Sequence, residues 1–191
     1  MNRRTYIKNI LIFGTLGLTS FSAFKWFELT AQIDPKTLWD KKDLIGELAE
    51  VIIPETDTPG AKAASVNIYI INVILNCTDR KQQNKFLSGL NDLESYSIDT
   101  YNKSFLKCNE SEKNTIVQYF ADHSGYSNRL INKINNKLLG EPFYSKLRNL
   151  TIEGYCLSKL GATQGLAYDY IPGKFESCIP LQKNQKSWAT K

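Results

Sequence analysis

Few residues in this 191-residue chain could do covalent or metal chemistry. There is one histidine, His123, and there are four cysteines, Cys77, Cys108, Cys156 and Cys178. Nucleophilic catalysis through a Ser/His/Asp relay would have to use His123. That residue lies in "FADHSGYS", at the expected C-terminus of a helix, where an imidazole suits the helix dipole without any further role. No two cysteines are spaced as CxxC, and no CxxCH marks attachment of a c-type haem. A single histidine cannot build a His-based metal site. Cys77 and Cys156 fall in apolar helical runs, which predicts buried thiols, whereas Cys178 lies in a Gly/Pro-rich tail. The carboxylate pairs Glu47/Glu50 and Glu110/Glu112 are expected on solvated helix faces or in a capping turn. No GxGxxG follows a strand pattern, so there is no sign of a dinucleotide fold. These residue types give the chain no catalytic, cofactor or metal site of its own.

The formal net charge of +5 raises the question of nucleic acid. Arg3, Arg4 and Lys8 stand in a stretch without acids at the N-terminus and carry three of those five charges, so the remaining +2 is spread over a nearly neutral body. No basic stripe is interleaved with aromatics, which argues against nucleic-acid binding. The N-terminus itself reads as an address. Two arginines precede an uncharged run over residues 9–24, with Ser20 and Ser22 spaced for cleavage, as in an export signal. The run is short for a membrane span, which takes about 20 apolar residues. "NRRTYIK" resembles the twin-arginine signal S-R-R-x-F-L-K, with Arg3, Arg4, Tyr6 and Lys8 in its defining places. A general secretion signal and a retained membrane anchor are the other readings of residues 1–25.

Elements that would position any site are helical. Residues 40–53 place Leu44, Leu48 and Val51/Ile52 on one face, and Pro54 ends the run. Thr58 followed by Pro59 predicts the start of a second helix, which continues into an apolar run at 66–75 fit for the centre of a bundle. A long polar helix is expected within 79–106, with Phe86, Leu87, Leu90, Leu93, Tyr96 and Tyr101 inward. Asn109 and Glu112 make a capping-box pattern ahead of Ile116, Val117, Phe120 and Ala121. An amphipathic segment at 126–140 and a core helix from Pro142 towards Gly161 complete the pattern. The fold class is therefore all-α: a compact, bundle-like helical domain at 40–160 with an irregular Gly/Pro/aromatic C-terminal arm at 161–191.

That arm, "LGATQGLAYDYIPGKFESCIPL" and beyond, is too rich in aromatics to be an idle tail. Gly161, Gly165 and Gly173 would let the backbone turn tightly and approach another surface closely. The segments "LAEVIIPETDTPGAKAASV" and "GYCLSKLGATQGLAYDYIPGKFESCIPL" together resemble the two most recognisable blocks of the gluconate 2-dehydrogenase subunit 3 family. The first matches in aliphatic-aliphatic-Pro-x-Thr-Asp-Thr-Pro-Gly-Ala, and the second in Gly-Ala-Thr-Gln, the Pro-Gly turn and Cys-x-Pro-Leu. The blocks recur in order about 100 residues apart, so the resemblance covers nearly the whole chain.

The resemblance implies a non-catalytic small subunit of a membrane-associated sugar or sugar-acid dehydrogenase. In such complexes a large subunit of the glucose-methanol-choline type holds FAD, and a cytochrome c subunit commonly carries electrons onward. The small subunit would stabilise the large one and escort it, already folded, through twin-arginine export to the periplasm. The arm then has a role as partner interface, through Tyr168, Tyr170, Pro172, Gly173, Phe175, Cys178, Pro180 and Trp188, the alternative being an arm folded over its own helices. Cys178 is a candidate for a disulfide to the partner or to another cysteine of this chain. Two other readings of the sequence stand beside this one: a membrane-anchored periplasmic binding protein unrelated to redox, and a stand-alone enzyme using His123. The substrate of the complex is not legible in a subunit without an active site.

Overall fold

A computed structural model describes residues 31–124, 140–171, 173, 178–181 and 183–189. The expected amphipathic segment at 126–140 falls almost entirely outside them. The described residues are predominantly helical and contain no strand, so the fold is all-α. The order is α1 Pro35–Asp40, α2 Lys42–Ile52, α3 Val66–Cys77, α4 Arg80–Tyr101, a short 3-10 turn Phe105–Lys107, α5 Glu110–Asp122 and α6 Phe143–Leu157, closed by a wide turn at Gly161–Gly165.

The apolar run at 66–75 does form the central helix. Val66, Ile70, Ile71 and Ile74 of α3 are buried, and α3 packs on α1, α2, α4 and α6. Each fully buried aliphatic side chain of this size contributes roughly 1.5–3 kcal/mol. Facing them are Leu44, Ile45 and Leu48 of α2 and Phe86, Leu90 and Leu93 of α4. Ile116 of α5 and Leu147 of α6 complete the same cluster. Gly154 sits where α6 meets α3: a Cβ there would come within 2.6 Å of the Tyr69 ring.

Caps formed by neighbours in sequence begin α4 and α5. Asp79 caps α4 by accepting from the Gln82 amide at 2.8 Å. Asn109 and Glu112 form the reciprocal capping box of α5. Two expectations are corrected. The helix predicted over 40–53 is α2, but it starts at Lys42 and a separate short helix, α1, precedes it. Thr58–Pro59 does not begin a helix; residues 61–65 make turns and α3 starts at Val66. In a helix capped at Thr58 the Lys62 amide would donate to the Thr58 carbonyl, four residues back. It donates instead to Glu50 Oε2, at 2.8 Å.

Candidate functional site

The loop between α2 and α3 is organised by Glu50. Its carboxylate accepts the Glu55 amide on Oε1 and the Lys62 amide on Oε2, each at 2.8 Å. A carboxylate that receives two backbone N–H groups forms charge-assisted bonds stronger than neutral ones. Gly60 permits this arrangement, because a Cβ there would lie 2.2 Å from Glu50 Oε1. One helical turn back, Glu47 is shared between Lys62 and Lys113, the latter at 2.8 Å. Hydrogen bonds from Lys113 and Lys62 hold the Glu47 carboxyl below its ordinary range. These half-buried acids are therefore structural anchors, a correction to their expected place on a solvated face. The tip they support exposes Pro54, Glu55, Thr56 and Asp57.

The second segment is attached to the first by one side chain. Tyr155, buried near the end of α6, donates its hydroxyl to the Pro59 carbonyl at 2.7 Å. The same phenolic oxygen lies 2.4 Å from where a Cβ would project from Gly165. Glycine at 165 is thus what lets the turn lie against this ring. The turn itself closes with the Leu166 amide donating to the Gly161 carbonyl at 2.9 Å, five residues back. Such π-type turns are rare and concentrate at functional sites. At Gly161 a Cβ would clash with the Tyr155 carbonyl, at 2.0 Å. The turn and the close approach come without left-handed backbone: among the described glycines only Gly140 has positive φ. Gly161 and Gly165 serve close approach, and Gly173 has open space around it.

Beyond the turn, the arm closes on its own root. The Ala167 amide donates to the Ser187 carbonyl at 2.8 Å, and the Ala189 amide donates back to the Ala167 carbonyl at 2.9 Å. Trp188 sits between these bonds, opposite Ala167. Lys186 Nζ adds a bond to the Gln164 carbonyl. Between root and return the chain presents large apolar side chains: Tyr170 is 83% exposed and Leu181 is 89% exposed. Tyr168, Ile171 and Ile179 are exposed as well, as are Gly173, Cys178 and Pro180. Of the residues expected to act, Pro172 and Phe175 of the arm and Arg3, Arg4, Tyr6 and Lys8 of the signal lie outside the described residues.

Of the candidate reactive groups, only Cys178 lies on the arm. His123 is exposed at the C-terminus of α5. Its Nδ1 lies 2.7 Å from the Tyr119 carbonyl, an oxygen that can only accept, so Nδ1 carries the proton. Its ring packs on Tyr119, with centroids 4.2 Å apart. All four cysteines are free. The buried thiol is Cys108, beside Ser97 Oγ at 3.3 Å, whereas Cys77 is exposed and Cys156 half-buried. That reverses the expectation from the apolar runs. Cys77 stands at the last residue of α3, beyond the buried Ile74, and Cys156 is one helical step past the buried Tyr155. Among the described residues no group of three or more His, Cys, Asp or Glu gathers to hold a metal ion. Nor is any described helix long and apolar enough to cross a membrane.

Sequence reasoning missed Tyr155, Glu50 and Gly60 as organisers of this region. "PETDTPGA" and "GATQG" were visible as distinctive blocks, but the residues that join them act over 96 positions in one case and 12 in another. A family model described as gluconate 2-dehydrogenase subunit 3 matches residues 40–173, a span that holds both the loop and the turn. No curated protein and no solved structure matches the chain.

Proposed function

The chain belongs to the gluconate 2-dehydrogenase subunit 3 family, and from that premise we propose that it is the non-catalytic small subunit of a periplasmic FAD-dependent sugar or sugar-acid dehydrogenase. The family is one of accessory subunits, which act in a complex with other subunits of the dehydrogenase. On this reading a large subunit of the glucose-methanol-choline type holds the FAD and oxidises the substrate, and a cytochrome c subunit takes the electrons onward. The small subunit stabilises the large one and supplies its export signal through Arg3, Arg4, Tyr6 and Lys8. The twin-arginine route carries folded proteins, so one signal on one subunit serves both if they dock before crossing. On the same reading Cys178, exposed on the arm, forms a disulfide with the partner or with another cysteine of this chain in an oxidising compartment.

The observation that carries the reading is the arm itself. Tyr168, Tyr170, Ile171 and Leu181 stand exposed on a segment whose two ends are hydrogen-bonded together at Ala167 and Trp188. Aromatic side chains held out on a closed loop are the residue types enriched at the centre of protein interfaces. Both arm readings find support, since the returning end is hydrogen-bonded to its own root while the described residues between them are exposed.

The test is to express the catalytic subunit with this chain, without it, and with the Arg3→Lys, Arg4→Lys double variant. The catalytic subunit should reach the periplasm only with the intact chain. Its export in the chain's absence would contradict the escort role.

A further inference from the structure

We propose, resting on the accessory-subunit reading, that the docking face for the catalytic subunit is composite. The loop at 53–62 is its second half, and Tyr155 is the positioning residue that fixes this loop against the root of the arm. The one phenolic hydroxyl of Tyr155 donates to the Pro59 carbonyl, and its oxygen lies where a Cβ on residue 165 would project. Loop and arm therefore share a fixed relation, reinforced by Ala61 of the loop and Tyr155, both in the buried core.

The loop is built to hold its shape. Glu50 takes two of its amides, and the Thr56 amide donates to the Thr58 carbonyl across the tip at 3.0 Å. Thr56 Oγ1 donates to the Asp57 carboxylate at 3.1 Å. A tip held in one conformation before contact loses less entropy when a partner lands on it. What the tip exposes is polar and acidic, Glu55, Thr56 and Asp57, while the arm exposes Tyr168, Tyr170, Ile171 and Leu181. Apolar residues at the centre with polar, charged ones at the rim are the anatomy of a protein–protein interface. The occupant that fits is a protein surface with an apolar patch for the arm and basic groups opposite Glu55 and Asp57. Within the complex that surface belongs to the catalytic subunit.

The test uses the full chain and its catalytic subunit, with affinity measured as a function of salt and the melting temperature of each free variant recorded. Three variants are compared: Glu55→Lys with Asp57→Lys, Tyr170→Ala with Leu181→Ala, and Tyr155→Phe. Charge reversal at the loop tip should weaken the complex at least about tenfold and flatten its salt dependence, with the melting temperature unchanged. Tyr155→Phe should weaken it severalfold although no surface charge changes. If the loop variant binds as the unaltered chain does while the arm variant releases the partner, the composite face is wrong and the accessory-subunit reading stands. If the unaltered chain binds no flavoprotein at all, the accessory-subunit reading itself fails.

Discussion

The hydroxyl of Tyr155 donates to the carbonyl of Pro59 across 2.7 Å of space and 96 residues of sequence. The bond ties the end of α6 to the loop that follows α2. It also places Gly165 on the phenol, since the Cβ it lacks would fall 2.4 Å from the same oxygen. The two distinctive segments of the chain therefore converge on one side chain.

Tyr155→Phe should cost about 1 kcal/mol of unfolding free energy, the usual worth of one such hydrogen bond. Gly165→Ala forces a methyl against the anchored ring and should cost roughly 1–3 kcal/mol. Denaturant titration of both single variants and the double should show coupling, with Gly165→Ala cheaper once the hydroxyl is gone. Strict additivity would mean that the ring and the turn do not meet.

Glu50→Ala leaves the Glu55 and Lys62 amides without their acceptor and should destabilise by roughly 1–3 kcal/mol. Gly60→Ala should be costly in the unaltered chain, where a Cβ would sit 2.2 Å from Glu50 Oε1. In the Glu50→Ala background that clash is absent. Hydrogen exchange at Glu55 and Lys62 reads the same loss locally, because these amides should open first.

Gly154→Ala sets two effects against each other. Alanine is preferred to glycine within a helix by about 1 kcal/mol. Here the added carbon would lie 2.6 Å from Tyr69 Cδ1 and 3.1 Å from Val66 Cγ1. Overpacking of that kind costs roughly 1–3 kcal/mol, so the net change should be destabilising. A rise in melting temperature would show that α3 and α6 can separate freely.

Acid should weaken the fold through two carboxylates. Glu47 is held below its ordinary value of 4.5 chiefly by its hydrogen bond from Lys113, and Glu112 chiefly by its hydrogen bond from the Asn109 backbone. For a carboxyl depressed in the folded state, the contribution is full above the unfolded value and lost as pH falls through the folded one. Stability should therefore decline below about pH 4.5. Glu47→Gln and Glu112→Gln should each flatten that decline. A pH profile identical to the parent's in both variants would contradict the assignment.

His123→Ala should leave sugar-dependent dye reduction by the assembled complex unchanged. The imidazole is exposed and bonded to the Tyr119 backbone carbonyl, a role that touches only the end of α5. Loss of turnover with the complex intact would return the stand-alone enzyme reading to consideration.

What could be read from sequence was what short-range chemistry decides. The Asn109/Glu112 box and the largely apolar α3 each depend on residues within a turn of one another, and each stands where expected. Thr58–Pro59 carries the same kind of local signal, yet distant partners override it: Glu50 accepts from the Lys62 amide, and Tyr155 donates to the Pro59 carbonyl. Thiol burial failed for a related reason. An apolar run says that a helix is buried, but Cys77 lies past the end of the core, and Cys108 is enclosed by a 3-10 turn that packs under Ser97. The arm was recognisable by its residue types; the bonds between Ala167, Ser187 and Ala189 that close it were not.

The central claim is that this chain works only as part of a flavoprotein complex. The direct measurement is to purify the C-terminally tagged protein from the periplasmic and membrane fractions of its own cell and record the absorption spectrum. The account predicts co-purification of a larger flavin-containing subunit that reduces dye when sugar or sugar acid is supplied. A lone, colourless small protein in both fractions would contradict it.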